Sequence, residues 1–266
     1  MLLFSTIQSN PAEKWKKIAL MKSGRAYSSS VVLPDGRLWI TGGFDDESIL
    51  ATTEILEETK DGKWIIYEGP NLPKPLFGHC LEVLRNGRVL LAGGFDGSDQ
   101  ADITEEFEWV GTDYGKWSSK AWSPMKYKRF DHSCFSKDGG VEIVGGWSED
   151  FAEKLKSERY NETARRWEMI DDAVNSELPD ILRSSSIGVS EGNIALIGGV
   201  KCSIDNPVSG KKTCEKHSEV YELQPNVAEN RKEWKKKDKK IGTPRSSHII
   251  INVPKSIDFS CDPMEK

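Results

Sequence analysis

No stretch constrains this chain more than Gly87-Arg88-Val89-Leu90-Leu91-Ala92-Gly93-Gly94-Phe95-Asp96-Gly97, because it recurs. An apolar run that closes on a double glycine is found again in Arg37-Leu38-Trp39-Ile40-Thr41-Gly42-Gly43-Phe44-Asp45. It returns in Val141-Glu142-Ile143-Val144-Gly145-Gly146-Trp147 and in Ile194-Ala195-Leu196-Ile197-Gly198-Gly199-Val200. The double glycines begin at 42, 93, 145 and 198, so the spacings are 51, 52 and 53 residues. Self-similarity at a period near fifty means stacked repeats, each unable to bury its apolar faces alone. These repeats fill nearly all of the 266 residues, which predicts one repeat domain over 1–266.

Each glycine phrase belongs to a larger unit. Upstream lies a strand-like run and a turn: Ser28 to Leu33 before Pro34-Asp35-Gly36, and His79 to Leu84 before Arg85-Asn86-Gly87. Asp-Gly and Asn-Gly between apolar runs signal hairpins, because tight hairpin turns need positive φ. Downstream comes an acid beside apolar residues, then a polar turn, then a tryptophan. Glu54-Ile55-Leu56 leads to Trp64, Glu105-Glu106-Phe107 to Trp117, Glu158-Arg159-Tyr160 to Trp167, and Glu219-Val220-Tyr221 to Trp234. The unit is therefore four short strands, a to d, with no apolar period of 3.6 residues over helix length. Strand b is apolar on consecutive positions, so both of its faces must be covered. A four-stranded sheet stacked radially between two like sheets meets that demand, with the strand d tryptophan expected to bury against the next sheet. The fold class is all-β, a propeller.

These residues resemble the kelch-repeat β-propeller family: a Pro-Arg-x-x-His-like lead-in, a strand ending in Gly-Gly, an acidic–aromatic pair and a tryptophan. The resemblance covers about residues 15 to 250, with four complete repeats at about 24–67, 75–121, 128–171 and 182–237. A fifth blade would be split between the termini, 1–18 with 243–261. Leu2 to Lys17 reads as strands c and d, and Pro244-Arg245-Ser246-Ser247-His248 reads as the lead-in to strand a. Joining them would close the ring and remove an exposed sheet edge. The alternative is a fragment of the six- or seven-bladed propellers usual in the family.

Aligned lead-ins give a column of Arg25, Leu76, Arg129, Arg183 and Arg245, and three residues on a column of Ser28, His79, His132, Ser186 and His248. Histidines at equivalent positions of different blades are spread around the channel, whereas a metal needs ligands within about 2.0–2.2 Å of one ion. No metal or cofactor is expected. The resemblance implies that the loops between strands d and a form a partner-binding surface, where arginine offers bidentate capture of carboxylates. Arg25, Arg129, Arg183, Arg245, Phe77 and Trp147 are the partner-binding candidates; salt bridges from the arginines to Asp45, Asp96 and Glu149 are the competing role. No catalytic residue is nominated.

Five cysteines show no CxxC. Cys202 and Cys214 bound a longer b–c loop in the fourth repeat and are a candidate disulfide. Asn161-Glu162-Thr163 is a candidate N-glycosylation triplet at Asn161 on a c–d turn. Arg231 to Lys240 carries a local charge of +5 against −5 for the whole chain; it reads as a solvated outer strand, and neither nucleic acid nor a membrane is an expected partner. Without a basic n-region or cleavage site, Met1 to Gln8 is not read as a signal peptide. That favours the cytoplasm slightly, whereas a longer native N-terminus would allow secretion. The family includes actin-binding and ubiquitin-ligase substrate-recognition propellers, and also copper-radical oxidases and sialic acid mutarotases. The expectation is a non-catalytic module binding a protein partner, with a sugar-processing enzyme or an extracellular interaction protein as alternatives.

Overall fold

The computed structural model describes residues 3–4, 16–17, 19–99, 101–111, 114–118, 123–148, 155–170, 186–190, 193–197, 199–206, 211–216, 218–226 and 231–240. Its elements are all strands. Leu3–Phe4 (β1) and Lys16–Lys17 (β2) form a two-stranded pair. Blade 1 is Ser29–Val32 (β3), Leu38–Thr41 (β4), Thr53–Glu58 (β5) and Trp64–Gly69 (β6). Blade 2 is Cys80–Val83 (β7), Val89–Ala92 (β8), Thr104–Val110 (β9) and Tyr114–Trp117 (β10). Blade 3 is Ser133–Lys137 (β11), Gly140–Val144 (β12), Glu158–Asn161 (β13) and Arg166–Met169 (β14). Blade 4 is Ser186–Ser190 (β15), Asn193–Ile197 (β16), Glu219–Asn226 (β19) and Arg231–Lys240 (β20), interrupted between strands b and c by Val200–Asn206 (β17) and Lys211–Lys216 (β18). All four blades are antiparallel and follow chain order, and together they make a β-propeller.

Strands a of adjacent blades, β3, β7, β11 and β15, touch one another in turn, so they line the centre. The Asp-Gly and Asn-Gly turns of blades 1 and 2 are those expected. Gly36 and Gly87 have φ of 91° and 80°, and Asp138-Gly139 turns blade 3 with φ of 46° and 82°. Pair β1–β2 sits where strands c and d of a split blade were expected, Leu3 opposite Lys17 and Phe4 opposite Lys16. Its proposed complement, 243–261, lies outside the described residues.

Apolar side chains fill the spaces between blades. Blade 1 meets blade 2 through Trp39, Ile55, Leu81, Leu91 and Phe107. Its other face, Leu38, Ile40, Leu56 and Trp64, is covered by Ala19 and Met21 of the segment after β2. The strand d tryptophans turn the opposite way from the sequence expectation. Trp117 packs on Trp39 of blade 1, with ring centroids 5.9 Å apart. Trp167 reaches back to blade 2, where its indole N–H donates to Thr104 Oγ1 at 2.8 Å, and Trp234 packs on Phe135 and Val144 of blade 3. In blades 2 to 4 the outer strand thus roofs the preceding blade, a direction the local pattern of residues does not encode.

The recurrent double glycine is an inter-blade joint. A Cβ on Gly42 would collide with the carbonyl oxygen of Leu76 and with the His79 ring, and one on Gly93 with the Arg129 carbonyl and the His132 ring. The following glycine donates its N–H to the same carbonyl, Gly43 to Leu76 O at 2.8 Å and Gly94 to Arg129 O at 2.9 Å. The first glycine makes room for the next blade, and the second bonds to it. A disulfide, Cys80–Cys134, adds a covalent link between strands a of blades 2 and 3, with Cα atoms 6.2 Å apart.

Candidate functional site

In each of blades 1 to 3 the lead-in to strand a pairs with the residue after the double glycine. Isolated bridges join Ala26 to Phe44, Phe77 to Phe95, and Phe130 to Trp147, each through reciprocal backbone hydrogen bonds of 2.8–3.1 Å. The next residue of each lead-in is left-handed: Tyr27, Gly78 and Asp131 have φ of 53°, 62° and 54°. That geometry turns their peptide groups toward one another around the centre. Gly78 N donates to Tyr27 O at 2.8 Å, and Asp131 N donates to Gly78 O at 2.7 Å. A non-glycine residue at this φ is strained by about 1–3 kcal/mol, most for a bulky side chain such as Tyr27, and persists because its surroundings hold it.

This stitching gathers aromatic rings over the face where the b–c and d–a loops emerge. Phe77 is central, with ring centroids 5.9 Å from Tyr27, 5.9 Å from Phe44, 5.3 Å from Phe95 and 5.7 Å from Phe130. Tyr27 stacks on Phe44 at 5.6 Å, and Phe95 lies 5.5 Å from Phe130. Phe44 is 36% exposed, and the other rings and Trp147 are half-buried. The surrounding loops are held by charge. Asp45 and Asp96 accept backbone N–H groups two and three residues on. Lys74 meets Asp96 at 2.8 Å and Lys128 meets Asp99 at 2.7 Å. The Lys74 ammonium first, then the N–H groups of Asp99 and Ser98, hold the Asp96 carboxyl well below the ordinary range.

Phe77 and Trp147, nominated from sequence, both belong to this surface. Tyr27, Phe44, Phe95 and Phe130 were missed, although the column of residues after the arginines (Ala26, Phe77, Phe130) carried the signal. Arg25 and Arg129 take another role. Each side chain is essentially sealed, 1% and 0% exposed, against a strand c glutamate, Glu54 at 2.9 Å and Glu158 at 2.7 Å. Their guanidinium groups also donate to backbone carbonyls, Arg25 to Gly42 and Thr52, Arg129 to Gly145 and Lys156. Sealed in this way, they bolt the lead-in to its own blade and expose no guanidinium to a partner. Their acids are not Asp45 and Asp96, which cap their own loops, because strand c lies directly beneath the lead-in. Arg183, Arg245 and Glu149 lie outside the described residues.

His79 and His132 are sealed between blades and do not reach the surface. His79 Nε2 bonds Thr41 Oγ1 of the preceding blade at 2.7 Å. Burial drives its pKa down to about 3, so the ring is neutral. At the next junction Ala92 replaces Thr41. There His132 has the Ala92 backbone within reach but neither ring nitrogen in hydrogen-bonding geometry, and burial, Arg129 and His79 together lower its pKa. On strand a of blade 2, Glu82 accepts from Ser136 Oγ of blade 3 at 2.8 Å. Burial pushes its pKa up to about 7 despite that bond. Asn161 is half-buried on the c–d turn, where its side-chain oxygen accepts the N–H groups of Thr163 and Ala164 at 3.1 and 2.9 Å. Chemically, the gathered surface presents ring faces and edges framed by lysine–aspartate pairs, which suits apolar and aromatic groups of a ligand.

No family profile matches the chain, and no curated protein matches it. Among solved structures it is similar to YjhT, with a TM-score of 0.63 and 15% sequence identity over 91% of this chain and 79% of YjhT. At that identity the likeness is one of fold alone.

Proposed function

We propose that the chain is a kelch-type propeller that binds a protein partner and catalyses no reaction, using the face on which the aromatic rings gather. One observation carries this reading: six aromatic side chains from three blades converge on one loop face, with Phe44 36% exposed. Binding energy at protein interfaces concentrates in a few aromatic anchors with a polar surround, and truncating one costs about 2 kcal/mol or more. The rings are held by backbone bridges and left-handed residues, so little ordering remains to oppose association. The Cys80–Cys134 bridge favours the variant of this reading in which binding takes place in an oxidising compartment, since such bonds are rare in reducing ones.

The test is selection of binders from a displayed random-peptide library, followed by affinity measurements. Phe44→Ala and Phe95→Ala are expected to weaken selected peptides about 30-fold or more, the equivalent of 2 kcal/mol. Met169→Ala, an exposed change on β14, is expected to leave them unaltered. Selected peptides indifferent to both phenylalanines would sink the proposal.

A further inference from the structure

The hairpin β17–β18 is a separate two-stranded sheet, unjoined to the blade it interrupts. An isolated hairpin is marginal in water unless something else holds it. Its sequences, Val200-Lys201-Cys202-Ser203-Ile204-Asp205-Asn206 and Lys211-Lys212-Thr213-Cys214-Glu215-Lys216, contain only Val200 and Ile204 as large apolar residues. Two such side chains cannot bury a face. The ladder, however, puts Cys202 directly opposite Cys214. Residues opposed in an antiparallel ladder have Cα atoms about 4.5–5.5 Å apart, within the about 4.4–6.8 Å that a disulfide spans. A covalent bridge at that rung would supply what the apolar content lacks.

A second cysteine pair points to the same chemistry from elsewhere in the fold. Cys80 and Cys134 are 54 residues apart and joined between blades 2 and 3. One further cysteine, Cys261, makes up the five. We propose that the mature protein carries two disulfides, Cys80–Cys134 between blades and Cys202–Cys214 across the inserted hairpin, with Cys261 as its single thiol. Each bridge forms as two thiols lose two protons and two electrons to a disulfide-bearing exchange partner, whose own disulfide is reduced to a dithiol. Maturation therefore belongs to an oxidising compartment. The hairpin occupies the b–c connection of blade 4, as Phe44, Phe95 and Trp147 occupy those of blades 1 to 3.

The experiment is a thiol count on protein recovered from a secretory host and, in parallel, on protein refolded in glutathione redox buffer. Denaturation with iodoacetamide before reduction should add one carbamidomethyl group by intact mass, and prior reduction should raise that to five. Non-reduced peptide mapping should recover a peptide joining Cys202 to Cys214. Cys202→Ser should raise the unreduced count from one to two by freeing Cys214. An unreduced count of three in the wild type with Cys202 and Cys214 alkylated, or a non-reduced map that joins either of them to Cys261 instead, would overturn the second bridge. Alkylation of Cys80 or Cys134 before reduction would overturn the first.

Discussion

In blade 1 the Glu54 carboxylate accepts the backbone N–H groups of Lys22 and Ser23 and the guanidinium of Arg25. In blade 3 Glu158 accepts those of Lys126 and Tyr127 and the guanidinium of Arg129. Blade 2 has Pro73-Lys74-Pro75-Leu76 in the same place, with Glu105 as the acid. Proline removes one N–H donor and leucine removes the cation. Leu76 is instead 0% exposed and joins the core between blades 1 and 2. Glu105, left half-exposed, has its pKa raised by burial against the opposing pull of Lys74. Two solutions to one closure problem stand side by side. A buried ion pair holds the lead-in only if every partner is present, whereas an apolar closure has no such dependence.

Breaking the bolt should have the largest effect. Arg129→Ala strands the buried Glu158 carboxylate and is expected to cost about 3–5 kcal/mol in urea unfolding. The double change Arg129→Leu with Glu158→Leu, which copies the apolar solution on both sides, should recover most of that loss. A double variant as unstable as Arg129→Ala would refute the equivalence of the two closures.

The second prediction concerns Glu82, an acid on strand a of blade 2. Glu82 binds its proton more tightly in the folded chain, with a pKa of about 7 against an ordinary 4.5. Between those values the folded state holds a proton that the unfolded chain has lost. Stability from this group is therefore complete below pH 4.5, falls as pH rises, and is lost above pH 7, by about 3 kcal/mol in all. Glu82→Gln keeps an acceptor for Ser136, so urea midpoints across pH 4.5 to 8 should fall less in the variant than in the wild type. Parallel profiles would show that Glu82 does not titrate in this window.

The smallest effect is expected where the comparison says no bolt exists. Glu105→Ala should change stability by no more than about 0.5 kcal/mol, as surface substitutions do. A loss on the scale of Arg129→Ala would mean that Glu105 has an essential partner after all.

Much of the scaffold was legible because its causes are local. Asn86-Gly87 and Asp35-Gly36 specify turns by φ, and the consecutive apolar residues of Val89-Leu90-Leu91 demand cover on both faces. The candidate surface was legible only in part. Phe77 and Trp147 stood out, but the neighbours that make them a surface come from two other lead-ins and two other glycine phrases. The arginine column and salt bridging as one of its two roles were visible, but the partner acids were not, since Glu54 lies 29 residues from Arg25, as Glu158 does from Arg129. Cys80 and Cys134 escaped notice because they occupy successive rather than equivalent positions of two repeats.

The period of the double glycine was enough to dictate repeated four-stranded sheets, since spacing and turn chemistry act within a unit. Contacts between units were settled by how each sheet twists against the next. That rotation sends Trp117 and Trp167 back onto the preceding blade, seats the His79 and His132 rings over Gly42 and Gly93, and brings the Phe77 ring between those of Tyr27 and Phe130. A one-residue slip in a strand's pairing would likewise turn its side chains to the other face without changing a single local signal.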